Sequence, residues 1–309
     1  MAININLNQT TARYFIIKGI SENPILQIPI FLLVLLMYIT TLSGNMTILI
    51  ACRHPLLHTP MYFFLGNLSI VDISCSTISL HKILINFITG DKSVTFLQCM
   101  IQMYMFGSFA GHELLILTAM SYDRYVAICN PLHYHMVMNR RMCMTLAFAC
   151  WIMGFFQVLP PCGIVFSYTC YSSIEINHFF CDIVPLMKIS CNDTYVLEML
   201  FFIEGIFPLI LTPFVITFVP YIFIISSILK ISSSTGRRKA FYTCSSHLTV
   251  VTMLYTTLAS QYLTPNVLST LNLKKVLSLF NTAAVPMLNP LIYSLKNKDV
   301  KRVLKTLLT

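Results

Sequence analysis

Residues 25–52 read ILQIPIFLLVLLMYITTLSGNMTILIAC and contain no Asp, Glu, Lys or Arg. A helix of about 20 mostly apolar residues is long enough to cross the hydrocarbon core of a lipid bilayer. A helix that is apolar on every side needs either lipid or the interior of a large protein around it. This stretch is therefore predicted to be a membrane-spanning helix.

The composition of the whole chain extends this prediction. Hydrophobic residues make up 56% of the 309 residues and charged residues only 10%, whereas soluble domains contain about 25% charged residues. The apolar runs are long and continuous, which is not the alternating pattern of a transmembrane β-barrel. We predict an all-α fold, a seven-transmembrane helix bundle with spans at about 25–52, 59–85, 97–121, 142–167, 201–229, 240–263 and 276–295.

The distribution of positive charge predicts the orientation in the membrane. Seven crossings place the termini on opposite sides, and one side then holds thirteen of the 20 Lys and Arg residues against only Asp123 and Asp299. Because cytoplasmic loops collect Lys and Arg, that side is predicted to be cytoplasmic in the plasma membrane. Residues 1–24 are then an extracellular tail, 25–295 the transmembrane domain and 296–309 a cytoplasmic C-terminus. The net charge of +9 needs no nucleic-acid partner.

The C-terminal segment has the pattern of an amphipathic helix. Its apolar residues follow the helical spacing i, i+3, i+4, i+7, and its cations take the opposite side. The two sets are Val300, Val303, Leu304 and Leu307, and Lys298, Lys301, Arg302 and Lys305. We expect a short eighth helix that lies on the anionic lipids of the inner membrane face.

Cysteine and glycosylation signals mark the predicted outer side. Of eleven cysteines, four fall there, namely Cys99, Cys170, Cys181 and Cys191. An even set in an oxidising compartment indicates two disulfides, but four cysteines allow three pairings and the spacing does not choose among them. The sequon at Asn8 lies in the outer tail and is predicted to carry a glycan.

Two acidic residues fall near the middle of predicted spans, whereas Glu204 lies near the outer end of the fifth. Asp72 and Glu113 lie near the middle of the second and third segments. Because a charge in the hydrocarbon core is costly, such residues are functional candidates. The pair could share a cation such as Na⁺ or a proton, or it could belong to a hydrogen-bonded polar network that holds helices together. The sequence leaves these interpretations open.

Other function classes lack their signals. The chain shows no combination of a nucleophile and a base that would indicate an enzyme, and no further cofactor or metal site is expected. An ion-coupled transporter could also use Asp72 and Glu113, but it would usually show inverted repeats, which this sequence lacks.

Four longer strings then occur in order along almost the whole chain. They are PMYFFL at 60–65, MSYDRYVAIC at 120–129, KAFYTCSSH at 239–247 and PMLNP at 286–290. With Cys99 and with NPLIY at 289–293, this set resembles the olfactory receptor family of rhodopsin-like G-protein-coupled receptors, in its tetrapod-type class. This sequence departs from the family pattern at Tyr242, Thr256, Asn281 and Pro220. These differences are expected to affect how easily the receptor is activated.

The resemblance implies specific roles for residues of this chain. It implies the disulfides Cys99–Cys181 and Cys170–Cys191, and it places Asp72 and Glu113 in an inner polar network with Asn289. It also implies a switch for G-protein coupling, formed by Asp123, Arg124, Tyr125, Tyr221, Lys239, His247, Asn289, Pro290 and Tyr293. Arg124 is expected to meet the G protein once helix six moves outward.

The resemblance also implies a ligand pocket between helices three, five, six and seven. Its expected lining is Phe106, Gly107, Ala110, Gly111, Gly205, Ile206, Leu209, Tyr255, Leu258, Ala259, Tyr262, Leu279 and Thr282. This mostly apolar set suits small volatile odorants. The expected function is an odorant receptor that activates a stimulatory, olfactory-type heterotrimeric G protein and raises cAMP. The alternatives are a receptor for another small lipophilic ligand outside the nose and, less well supported, the transporter.

Overall fold

The computed structural model describes residues 14–200, 203, 210–263, 271–295, 300, 302, 303 and 306. The long helices are helix one at Pro24–Ala51, helix two at Pro60–Thr89, helix three at Phe96–Cys129, helix four at Arg140–Phe156 and Leu159–Ser167, helix five at Thr212–Leu229, helix six at Ser234–Leu263, and helix seven at Leu271–Leu279, Phe280–Ala284 and Val285–Leu295. Shorter helical turns lie at Pro55–Leu57, Pro131–His133, Tyr134–Val137, Ile183–Ile189 and Tyr195–Leu200.

These helices begin and end where local chemistry favours it. Helix three starts with a capping box, in which the Thr95 hydroxyl accepts from the Gln98 N–H and the Gln98 side chain accepts from the Thr95 N–H. This arrangement satisfies backbone donors that the first helical turn leaves free. Helix two ends at Gly90, whose φ of 73° is the left-handed conformation that glycine adopts at low cost.

Five stretches in the described part of the chain are both long and apolar enough to cross a membrane. They are Pro24–Ala51, Pro60–Thr89, Arg140–Ser167, Thr212–Leu229 and Leu273–Tyr293. Helices three and six have 34 and 30 residues, which is also sufficient length, but they carry more polar and charged side chains. The seven long helices of the described residues occupy the seven predicted segments, and the predicted all-α fold class is confirmed.

Helix four was predicted as one continuous span, but in the structure it consists of two helical parts. Its helix ends at Phe156 and a second helix starts at Leu159. Pro160 and Pro161 lack the backbone N–H that would continue the hydrogen-bond ladder, so a break before them is expected on physical grounds. Helix seven also departs from regular α-helix, since Phe280–Ala284 forms a π-helical turn.

Helix three is the central element of the bundle. It packs against helices two, four and five, and its buried residues include both apolar side chains and Glu113. Polar contacts join it to helix five, because the Ser121 hydroxyl donates to the Thr217 carbonyl oxygen at 2.8 Å and Thr118 lies 3.0 Å from the Thr217 hydroxyl.

A small sheet covers the end of the bundle at which helix three begins, which the sequence did not predict. Strand β1 at Tyr14–Ile17 lies between β2 at Ser93–Thr95 and β3 at Glu175–Ile176. The pairing with β2 is antiparallel and the pairing with β3 is parallel. Strands of two to four residues are too short to give a period-two signal that stands out.

Two disulfides fix the loops at this end. Cys99, in the first turn of helix three, is joined to Cys181, and Cys170 is joined to Cys191 within the loop before helix five. Both pairings are the ones that the resemblance implied, and they select one of the three that the spacing left open.

Part of the C-terminal segment 296–309 is described. Val300, Arg302, Val303 and Thr306 are helical, with the two valines buried and the other two residues exposed. These four positions have the amphipathic arrangement that was predicted for the eighth helix.

The disulfide at the start of helix three gives a stability prediction. Replacing Cys99 by Ser should lower the free energy of unfolding by about 2–5 kcal/mol, because the native link closes a long loop of the unfolded chain. The measurement is the thermal midpoint of purified protein in detergent, together with surface expression. Cys162→Ser, which removes a free thiol, is the matched control, and equal midpoints for the two variants would contradict the prediction.

Candidate functional site

A buried polar network joins helices one, two and seven. The Asn289 side chain donates to both carboxylate oxygens of Asp72 at 3.1 Å, and each of these residues is only 1% exposed. The Asn45 amide donates to the Pro286 carbonyl oxygen at 3.2 Å. Pro290, as a proline, leaves a carbonyl in the preceding turn without its helical donor, so contacts from neighbouring helices hold this part of helix seven in place.

Glu113 belongs to the same network. It is 4% exposed, and it lies close enough to Asp72 for the two carboxyl groups to interact electrostatically. Its Oε1 atom has no hydrogen-bond partner among the described residues. Because like charges repel strongly in a buried region, one of the two carboxyl groups would keep its proton unless a cation binds beside them. In the described part of the chain, no group of three or more His, Cys, Asp or Glu side chains could hold a metal ion.

Helix six is tied to helices three and five through one histidine. The His247 Nε2–H donates to the Leu117 carbonyl oxygen at 3.1 Å, so its Nδ1 is the acceptor that receives the Tyr221 hydroxyl at 2.5 Å. His247 is 1% exposed and Tyr221 is 3% exposed. We call Tyr221, His247 and Leu117 together the His247 latch. Outward movement of helix six would break both hydrogen bonds.

Arg124 lies at the end of helix three and forms an ion pair with the adjacent Asp123. Its guanidinium donates to Asp123 Oδ2 at 2.6 and 3.1 Å. Tyr134, in the turn after helix three, donates its hydroxyl proton to Asp123 Oδ1 at 2.8 Å. Burial and the nearby Asp123 carboxylate raise the pKa of Tyr134 above its ordinary value, so the hydroxyl keeps the proton that it donates. Both oxygens of Asp123 are thereby occupied.

The remaining switch candidates surround these contacts. Tyr293 is 2% exposed, and its hydroxyl has no hydrogen-bond partner among the described residues. Tyr125 packs against the cluster that contains Tyr221. Pro290 packs on Gly44 of helix one. The side chain of Lys239 lies outside the described residues.

Those expected ligand residues that the structure describes fall into separate groups rather than one ring. The ring of Phe106 packs at a tilt against Phe180 of the loop before helix five, with ring centroids 4.6 Å apart. Tyr255 packs edge-on against Phe214 and Phe218 of helix five, with ring centroids at 5.3 and 5.7 Å. Leu258 packs on the core cluster that includes Tyr255, while Ala110 and Ala259 are partly buried.

Gly107 and Gly111 face helix four. A Cβ on Gly107 would come 3.0 Å from Val158, and one on Gly111 would come 1.4 Å from the Gln157 amide nitrogen. The space that side chains at these positions would need is filled by the break in helix four, and the glycines allow the two helices to approach closely. This geometry differs from the expectation that both would border a ligand.

Leu279 and Thr282 of helix seven point toward helices one and two. Leu279 packs on the cluster of Val34, Leu80 and Ala283, and the Thr282 carbonyl oxygen accepts from Ser76 at 3.3 Å. Gly205, Ile206 and Leu209 lie outside the described residues, as does the side chain of Tyr262.

Some contacts were not found from the sequence. The Thr257 hydroxyl donates to the Asn281 side-chain oxygen and so joins helices six and seven. The available signal was the polar Asn281 at a position where the family usually has Tyr. Tyr134 stands in the string PLHY after helix three, but its partner Asp123 could only be recognised in three dimensions.

The loop before helix five carries two perturbed ionisable groups. Burial, with the positive Lys275 nearby, lowers the pKa of His178 to about 3, so this imidazole is neutral. Burial raises the pKa of Asp182 to about 6, although its hydrogen bond from the Ile183 N–H acts in the opposite direction. His178 thus lies at the covered end of the bundle as an uncharged, aromatic group.

The family model described as "Olfactory receptor" matches residues 34–309. The olfactory receptor 5G9 of Mus musculus is 46% identical over 295 residues, which are 95% of this chain and 94% of that protein. The olfactory receptor 8A1 of Homo sapiens is 45% identical over 302 residues, covering 97% of this chain and 92% of that protein. The olfactory receptor 8D1 of Homo sapiens is 43% identical over 302 residues, covering 97% of this chain and 98% of that protein.

The contact between helices one and seven gives a second stability prediction. A Cβ on Gly44 would come 2.8 Å from Cγ of Pro290, and a proline ring cannot rotate away. Gly44→Ala should therefore destabilise the protein by about 1–3 kcal/mol through overpacking. Gly163→Ala is the matched control, because a Cβ there meets nothing within 4 Å. Thermal midpoints in detergent compare the two, and a midpoint for Gly44→Ala at or above that of the control would contradict the clash.

Proposed function

The chain belongs to the olfactory receptor family, and on that premise we propose that it binds small volatile, mostly apolar odorants within its helix bundle and activates a stimulatory G protein that raises cAMP. Members of this family are receptors and not enzymes, and no catalytic residue is assigned. The observation that carries the proposal is the His247 latch, because it closes helix six on helices three and five beside the Asp123–Arg124 pair.

Ligand binding is proposed for the apolar region between helices three, five and six. Phe106, Ala110, Tyr255, Leu258 and Ala259 supply aromatic and aliphatic surface, with few charged groups. A small volatile offers few heavy atoms, and each contributes at most about 1.5 kcal/mol. Weak binding and recognition of several related compounds are therefore expected. Gly205, Ile206, Leu209 and Tyr262 remain candidates for the same pocket.

Activation is proposed to be a shift between two arrangements of the bundle. An odorant favours the open arrangement only to the extent that it binds that arrangement more tightly. In the closed arrangement, helix six is held by two hydrogen bonds of His247, and neutral hydrogen bonds of this kind contribute about 1 kcal/mol each. A differential affinity of a few kcal/mol is sufficient to overcome such a latch.

The G protein is proposed to bind at the end where helix three finishes. Arg124 would exchange its contact with Asp123 for the partner once helix six moves. Arg237 and Arg238 are exposed at the start of helix six, and Lys239 follows them, so this rim offers positive charge to an acidic or C-terminal carboxylate group. Tyr221 and Tyr293 would then move toward Arg124.

The inner carboxyl groups are proposed to bind one positive charge in total. Asp72 and Glu113 share a buried region with Asn289, which donates to both oxygens of Asp72. Either a sodium ion or a proton would satisfy this arrangement. A thermal midpoint that rises with NaCl but not with choline chloride would indicate sodium, and Asp72→Asn should remove that dependence.

The orientation is proposed to place the N-terminus outside and the C-terminus in the cytosol. The two disulfides lie at the end opposite to Arg124, as expected for an oxidising exterior. Glycosylation at Asn8 belongs to the same proposal. A tag on the N-terminus of intact cells should be accessible to antibody without permeabilisation, and detection only after permeabilisation would overturn the orientation.

Removal of the arginine at the coupling end tests G-protein activation. In cells, Arg124→Ala should abolish the cAMP response to any volatile that a screen identifies as active on the parent receptor, while surface expression is kept. Arg140→Ala removes an exposed cation at the same end and should leave most of the response. A full response from Arg124→Ala would contradict the assigned role.

Removal of the latch tests the closed arrangement itself. His247→Phe deletes both hydrogen bonds and should raise ligand-independent cAMP by about fivefold or more, normalised to surface expression. Thr249→Ala on the same helix is the control, because Thr249 bonds only within helix six. Basal cAMP for His247→Phe at or below that of the control would show that the latch does not hold the receptor closed.

A further inference from the structure

The N-terminal segment Tyr14–Gly19, here called the strap, crosses the end of the bundle as the central strand of a three-stranded sheet. Its backbone bonds to both neighbours, since the Ile17 N–H donates to the Lys92 carbonyl oxygen at 2.9 Å and the Lys18 N–H donates to the Ile176 carbonyl oxygen at 3.1 Å. The strap therefore connects the loop before helix three with the loop before helix five.

Side chains alternate along the strap between the bundle and water. Phe15 and Ile17 are 0% exposed, whereas Tyr14 is 51% exposed. The two buried residues belong to a cluster that includes Val94, Ile176 and the Cys99–Cys181 disulfide. An exposed peptide tail would not bury such side chains, so the strap is a packed part of the fold.

The far end of the strap is attached to helix seven. Lys18 forms an ion pair with Glu175 at 2.9 Å, and the Gly19 N–H donates to the His178 carbonyl oxygen at 3.0 Å. Lys275 of helix seven donates to the Gly19 carbonyl oxygen at 3.3 Å. Gly19 has a φ of 84°, which lets the chain turn here toward helix one.

Residues 178–181 continue from the strand beside the strap toward helix three. Phe179 and Phe180 are 0% exposed, and the ring of Phe180 packs at a tilt against Phe106 of helix three. The next residue, Cys181, is held by its disulfide to Cys99 and by an N–H that donates to the Gln102 side chain at 3.0 Å. The strap and residues 178–181 are together called the outer plug.

We propose that the outer plug closes the bundle to molecules arriving from water, and that small apolar ligands reach the interior from the surrounding lipid. This inference rests on the proposed function, since it concerns the route of the odorant to the pocket. The buried side chains of Phe15, Ile17, Phe179 and Phe180, one disulfide and the backbone hydrogen bonds of the sheet lie at this end of the bundle, and Phe180 contacts Phe106. An apolar volatile concentrates in the hydrocarbon of the membrane, and among the described residues the sheet and the disulfides lie at the end of the bundle rather than on its lipid-facing sides.

The test measures access to a thiol below the plug and requires no odorant. Ala110→Cys, about one helical turn inward from Phe106, is the reporter in a Cys162→Ser background. Intact cells are treated with either an apolar uncharged maleimide or a charged, membrane-impermeant maleimide. Labelling of the reporter is the excess over the Cys162→Ser parent.

A locked strap distinguishes the two routes. Ile17 and Lys92 form a hydrogen-bonded pair, so the adjacent residues Ile16 and Ser93 form a non-hydrogen-bonded pair with Cα atoms about 4.5 Å apart. This distance permits a disulfide in Ile16→Cys/Ser93→Cys. If ligands arrive through lipid, the lock should change the rate of apolar labelling by less than about twofold. A decrease of about tenfold would show entry under the strap and would overturn the proposal.

A second variant weakens the packing of the strap, so that its effect on labelling can be compared with that of the locked strap. Phe15→Ala/Ile17→Ala removes both buried side chains and should raise labelling by the charged maleimide about tenfold or more. Tyr14→Ala, on the exposed face of the same strand, is the control. Charged labelling of the parent reporter as fast as labelling of an exposed cysteine would also overturn the proposal. If the double variant fails to reach the surface, the locked strap still decides, and neither result depends on cAMP signalling.

Discussion

Every polar group inside a lipid bilayer must find its partner within the protein, because hydrocarbon offers neither donors nor acceptors. In this bundle the constraint is most severe around Asp72. Its carboxyl group is almost fully buried and receives both of its side-chain hydrogen bonds from Asn289 on another helix. Helices two and seven are thus held at one relative depth, and the proline-containing part of helix seven packs against helix one through Gly44 and Asn45.

The two ends of the bundle are held by interactions of different strength. At the end where helix three begins, two disulfides and a three-stranded sheet fix the loops. At the other end, helix six is tied to helices three and five by the hydrogen bonds of His247. A disulfide contributes a few kcal/mol, and a neutral hydrogen bond contributes about 1 kcal/mol. Conformational change is therefore expected at the hydrogen-bonded end, where few weak contacts must break.

The site illustrates which residues can be recognised from a sequence. Asp72, Glu113 and Arg124 stand out because charge is rare in apolar segments, and the structure finds each of them buried or paired. Gly107 and Gly111 were expected to border a ligand, although small residues suit a neighbouring helix equally well. The structure places Gln157 and Val158, at the break in helix four, against them. No periodicity within helix three could identify which neighbour its glycines would face.

The sequence by itself determined the membrane class, the number and approximate positions of the spans, and the family. These properties depend on local composition and on short motifs that occur in a fixed order. Each motif lies within a few consecutive residues, so it can be read without knowing the fold. Only the tertiary structure decided the covering strand Tyr14–Ile17, the Tyr134–Asp123 contact and the Thr257–Asn281 contact between helices six and seven. Each of these joins residues from different elements of the chain, and their distances are set by how the helices pack rather than by the residues that separate them.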